Sequence, residues 1–102
     1  MHAPIYAELQ TVISTAGSPA TVTITPGAGR RVFLRKVLAS YSGAGTGLLT
    51  VQEGATTVLQ HQVVNSDQVD LNLGMKEGQN VVITLAGLTG LQAVLTVVYN
   101  FV

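Results

Sequence analysis

The sequence predicts an all-β fold, an eight-stranded antiparallel β-sandwich of the jelly-roll type, and three observations carry the prediction. Val, Ile, Thr, Tyr and Phe supply 36 of the 102 residues, the side chains that suit a pleated, half-buried surface. The 11 glycines fall mostly between apolar runs rather than within them. Turn signals recur at roughly ten-residue spacing, the rhythm of a sandwich or barrel.

The strands follow in order. Residues 5–14 form a run that stops at Ala16-Gly17-Ser18-Pro19. Residues 20–25 alternate cleanly, Val22 and Ile24 against Thr21, Thr23 and Thr25, until Pro26-Gly27-Ala28-Gly29 breaks the pattern. A longer strand spans 31–41, before Ser42-Gly43-Ala44-Gly45-Thr46. Strands over 47–52 and 56–63 flank Glu53-Gly54-Ala55, and Asn65-Ser66 closes the second. Residues 68–73 set Val69, Leu71 and Leu73 against Gln68, Asp70 and Asn72, then meet Gly74-Met75-Lys76-Glu77-Gly78. The last two strands, 80–85 and 91–101, flank Gly87-Leu88-Thr89-Gly90. Two packed sheets suit so many short strands, because a single open sheet would leave one apolar face wet. Among sandwiches the jelly roll leads; an immunoglobulin-like arrangement lacks its Cys and Trp, and an up-and-down barrel ranks third. The whole of 1–102 reads as one domain.

Composition narrows function by exclusion. Apolar residues make up 47% of the chain, and five basic residues balance five acidic ones, so no global field draws the protein to nucleic acid or an anionic membrane. Without cysteine there is no disulfide framework, zinc finger or thiol nucleophile. The beginning lacks a basic and then apolar leader, so no signal peptide is expected. His2 and His61 are the only imidazoles, too few for a three-histidine zinc site in one subunit. Asp67 and Asp70, three apart, fall on opposite faces of a strand and do not form a carboxylate pair. Ser42-Gly43-Ala44-Gly45-Thr46-Gly47 matches neither dinucleotide nor P-loop spacing and reads as a turn. No Ser, His and acid set assembles, so no enzyme and no cofactor are expected.

Residues 78–102 carry no charge at all. Gly87 and Gly90 divide this run, and its β-branched content makes it a terminal hairpin rather than a membrane span. Its strands are apolar on both faces. Leu91, Ala93, Leu95, Val97, Tyr99 and Phe101 form one face of the last strand; Gln92, Val94, Thr96, Val98, Asn100 and Val102 form the other. In the preceding strand Val81, Ile83 and Leu85 oppose Val82, Thr84 and Ala86. One core cannot use both faces, so Val82, Val94, Thr96, Val98, Asn100 and Val102 are candidates for an interface between copies or with another protein. Arg30, Arg31, Arg35 and Lys36 hold four of the five positive charges, while Glu53, Asp67, Asp70 and Glu77 lie in the second half. The basic cluster is the candidate charged docking surface; its cations alternate faces on a regular strand, a poor nucleic-acid track.

In texture, the segment Arg31-Val32-Phe33-Leu34-Arg35-Lys36-Val37-Leu38-Ala39 and the turn-separated strands through Val97-Val98-Tyr99 resemble the small structural proteins of tailed-phage virions, and most nearly their jelly-roll capsid cement or decoration proteins. The resemblance covers most of the chain and rests on no diagnostic motif. It implies a virion location, a homotrimer, and a major capsid protein or another virion protein as partner, with neither nucleic acid nor membrane bound. A tail, baseplate or fibre component is the alternative within that class. A carbohydrate-binding module is the alternative outside it, although the chain has no Trp and its three tyrosines are scattered.

Overall fold

Strict alternation in the strands leaves each with one apolar face, and the structure disposes of those faces by pressing two sheets together. The structure is a computed structural model describing residues 8–102; the expected strand start at residues 5–7, and His2, lie outside these. Eight strands are present: β1 (Glu8–Ile13), β2 (Ala20–Ile24), β3 (Val32–Tyr41), β4 (Thr46–Glu53), β5 (Thr56–Val64), β6 (Ser66–Gly74), β7 (Val81–Leu85) and β8 (Ala93–Phe101). One four-stranded sheet has the order β1-β8-β3-β6, the other β2-β7-β4-β5, and every pairing is antiparallel. This interleaved order makes the fold a jelly-roll sandwich.

Among the described residues the β4–β5 connection is the only hairpin between consecutive strands. Glu53 pairs Thr56, and Gly54 turns the chain at φ 58°, a left-handed conformation cheap only without a Cβ. The other links cross between sheets. The one from β5 to β6 is made by Asn65 alone, at φ 62°, held by its side-chain Oδ1 accepting from Gly45 N at 2.9 Å. The expected terminal hairpin is corrected here: β7 pairs β2 and β4, whereas β8 lies in the opposite sheet between β1 and β3. The physical reason is burial. Val81, Ile83 and Leu85 of β7 and Ala93, Leu95 and Val97 of β8 are all fully buried, which they achieve by facing one another across the core.

That core is completed by Val22 and Ile24 of β2, Leu49 and Val51 of β4, and Leu34 and Val37 of β3. Tyr99 caps it, its ring edge-on to Phe101 at 5.4 Å between centroids. Within the described residues the expected boundaries move by at most two residues. The last strand starts at Ala93, not residue 91, and Ser66 belongs to β6 rather than to a turn.

A polar contact sits against this apolar packing. Tyr41 is buried, and its hydroxyl donates to the Ala86 carbonyl at 2.7 Å; burial pushes its phenol pKa up. The hydroxyl occupies space that exists because residue 47 is glycine, since a Cβ there would lie 1.8 Å from the Tyr41 oxygen. Gly47→Ala should therefore cost about 2–3 kcal/mol by overpacking, and Tyr41→Phe about 1 kcal/mol for the lost hydrogen bond. Urea denaturation of the double variant should show a loss smaller than the sum of the two; strict additivity would place the clash elsewhere.

Candidate functional site

The outward face of the β1-β8-β3-β6 sheet is assembled by register. Directly opposed residues in an antiparallel sheet point the same way, so three rows cross all four strands. Ile13, Val94, Ser40 and Ser66 form the first; Thr11, Thr96, Leu38 and Gln68 the second; Leu9, Val98, Lys36 and Asp70 the third. The face is thus apolar along β1 and β8 and grades into polar side chains along β6. Leu9, Ile13 and Leu38 stand 64%, 63% and 39% exposed. Thr11 and Thr96 join hydroxyls at 3.0 Å. A shallow depression of about 410 Å³ lies among Leu38, Ser40, Ser66, Gln68, Val94 and Thr96.

A register shift between Leu34 and Lys36 changes the charged cluster. Leu34 pairs Tyr99 and Lys36 pairs Val98, so Arg35 is the extra residue of a bulge. Leu34 and Val37 are buried while Arg35 is exposed and Lys36 half-buried. The expected alternation of cations is corrected accordingly: the bulge turns two consecutive ones, Arg35 and Lys36, to the same outer face. Arg35 donates from Nη1 to Asn100 Oδ1 at 2.9 Å. Lys36 stands directly opposite Asp70 on β6, so charges that segregate along the sequence are neighbours across β3 and β6.

The structure brings Val94, Thr96, Val98 and Asn100 onto this face with Arg35 and Lys36. Val98 and Asn100, expected to be wet in a single copy, are only 9% and 4% exposed. Val98 is flanked by Leu9 and Lys36, and Asn100 is bonded to Arg35. Val82 lies in the other sheet, opposite Thr23 and Gln52. Val102 is 58% exposed just past β8, its backbone paired with Arg31. Arg30 is held through its backbone, with the Gly78 N–H donating to its carbonyl. Leu9, Ile13 and Leu38 complete the apolar area and were not singled out from sequence. The Leu9, Thr11, Ile13 alternation was the available signal, but it does not say which face lacks a cover.

At the side of the sandwich where β5 and β6 are both outermost, His61 and Asp67 meet across the two sheets, Nε2 to Oδ2 2.5 Å. This is the one contact of a basic side chain with a carboxylate within 4 Å among the described residues, and a partner for His61 within its own chain was not foreseen. Asp67 also accepts from the Gln68 backbone N–H at 2.9 Å. The hydrogen bond from His61, then that from Gln68, hold the Asp67 carboxyl below its ordinary 3.8. Asp70 points outward, so the two aspartates do not share a ligand position. Among the described residues no group of three or more His, Asp or Glu is placed to hold a metal ion.

No protein-family model matches the chain, and no curated protein does. Solved structures similar in shape include the following two. A carbohydrate-binding module, CBM36, in complex with calcium and xylotriose is 14% identical, with 98% of this chain and 91% of that one covered and a TM-score of 0.46. The virus-like particle of the extra small virus of the giant freshwater prawn Macrobrachium rosenbergii gives 14% identity, 99% and 82% coverage and a TM-score of 0.41. Likeness at this level transfers no function.

The lowered Asp67 pKa has a defined sign. A carboxyl whose folded pKa is depressed adds stability above its unfolded pKa, and this is lost as pH falls through the folded value. The urea midpoint of the protein should exceed that of Asp67→Asn near neutral pH, and the two curves should converge as pH falls below 3.8. A difference that persists unchanged in acid would show that the aspartate acts by packing alone.

Proposed function

We propose that this chain is a structural virion subunit, a phage capsid cement or decoration protein, which clamps adjacent shell subunits through the outer face of the β1-β8-β3-β6 sheet. The observation that carries the reading is the uncovered apolar area of that face. Leu9, Ile13 and Leu38 remain exposed beside Val94 and Val98. Covering them contributes on the order of 3–5 kcal/mol at about 25 cal/mol per Å². Arg35 and Lys36, brought to one end of the face by the bulge, add orientation by meeting acidic groups on a neighbour. The mechanism is passive: a protein that binds the assembled shell and not its separated subunits shifts the equilibrium toward assembly. Three copies per unit is what the resemblance to decoration proteins implies.

A second reading, a carbohydrate-binding module, has the depression in its favour, where Ser40, Ser66, Gln68 and Thr96 supply polar groups around Leu38 and Val94. No aromatic ring lines it, which removes the usual stacking platform.

Added to undecorated shells of its own virus, the protein should co-sediment with them and raise their disassembly temperature. The exposed positions allow a clean control. Leu9→Lys and Leu38→Lys together should abolish co-sedimentation while leaving the circular dichroism spectrum unchanged. Absence of the protein from purified particles by mass spectrometry would reject the reading, and saccharide binding lost on Gln68→Ala would move the second one ahead.

A further inference from the structure

A sandwich, unlike a closed barrel, keeps four sheet edges, and each presents unpaired backbone N–H and C=O groups that can template another strand. Among the described residues they belong to β1 and β6 in one sheet and to β2 and β5 in the other. Three are guarded. β2 has five residues and lies between Pro19 and Pro26. β6 carries Asp67 and Asp70, and the described part of β1 carries Glu8. β5 is the exception: nine residues, TTVLQHQVV, with no Asp, Glu, Lys, Arg or Pro. Val58 and Val64 are 41% and 58% exposed on it. A bulge at Val58, where Val51 pairs Leu59 and Gln52 pairs Thr57, protects only one end. Residues 59–64, past the bulge, pair β4 in unbroken register.

We infer that the β5 edge is a strand-addition site for a second copy of this chain, joining two sandwiches antiparallel through β5 about a two-fold axis. The occupant follows from the chemistry of the edge. A row of alternating backbone donors and acceptors is matched only by another extended strand. A two-fold contact sets a surface against itself, so it demands a strand that tolerates its own image, and a strand without formal charge does. Registers that oppose Gln60 and Gln62 across the axis keep both core faces on the same side. Their amides both donate and accept, so each can bond its counterpart. β6 paired in the same way would bring carboxylates together.

This regular stretch is about 20 Å long at ~3.3 Å per residue, which puts the contact at the small end of stable interfaces. Pairing is accordingly concentration-dependent in solution. It is strengthened where copies are held side by side on a surface, because the second contact becomes intramolecular. The inference does not depend on the proposed function, since it uses a different part of the molecule.

The test is made on the full chain carrying Leu9→Lys and Leu38→Lys, which silences the sheet face. Sedimentation equilibrium should show the mass rising with concentration toward twice the 10.6 kDa of one copy. Adding Gln60→Lys and Gln62→Lys should weaken association at least tenfold, with partial recovery in high salt as the introduced repulsion is screened. Hydrogen exchange at alternate amides within residues 59–64 should slow with rising concentration in the parent and not in the lysine variant. A parent that stays monomeric at several hundred micromolar overturns the inference, as does a dimer whose affinity and β5 exchange ignore the two lysines. Failure of the unsubstituted protein to bind shells, with β5 pairing intact, would count against the proposed function alone.

Discussion

Everything in this protein depends on a single apolar interface between two four-stranded sheets. Leu34, Val37, Leu95 and Val97 on one side meet Ile24, Leu49, Val51, Ile83 and Leu85 on the other, and all are at most 2% exposed. Small alternating strands cannot hide their apolar faces in any cheaper way, because each sheet alone would leave one face in water. The same demand explains why β7 and β8 part company after Leu85. Paired side by side, their inner faces would be neighbours; placed in opposite sheets, they become each other's cover. The interleaved jelly-roll order lets nearly every consecutive pair of strands do this.

Filling one interface has a consequence on the outside. The apolar content of β8 exceeds what the core consumes, and the surplus lies on a face shared with β1 and β3. There the structure treats residues unequally. Val98 and Asn100 are covered by their own neighbours, while Leu9 and Ile13 on the edge strand have, among the described residues, a strand on one side only. Exposure on this face is therefore a property of strand position as much as of side-chain type. The bulge at Arg35 works at the same scale: one extra residue breaks the alternation, keeps Leu34 and Val37 in the core, and turns two cations outward together.

The edges show how differently four similar strands can be terminated. Short length and prolines protect β2, and carboxylates protect β6. His61 and Asp67 tie β5 to β6 across the seam, holding the two sheets together where neither has a further strand. The pair leaves the outer backbone of β5 unmatched. The apolar sheet face and the bare edge are distinct surfaces on different parts of the molecule.

Much of the architecture was legible in the chain. The alternation of Val22 and Ile24 with threonines, and of Val69, Leu71 and Leu73 with Gln68, Asp70 and Asn72, fixes strand identity and the inward face locally, because side-chain direction alternates with every residue. The two-sheet sandwich followed from strand number and length. Legibility ended where partners are chosen. No local signal distinguishes a β7–β8 hairpin from a crossover, since both satisfy the same alternation; only the competition among all eight faces for one core decides it. The Arg35 bulge was hidden for a related reason, being defined by which residue of β8 lies opposite, and the His61–Asp67 contact joins strands of different sheets. Composition determined that this small protein has apolar surface to spare and little charge to shield it. Tertiary structure alone decided where that surface lies, because an edge is created by the absence of a neighbour, and a sequence does not record which of its strands will be left without one.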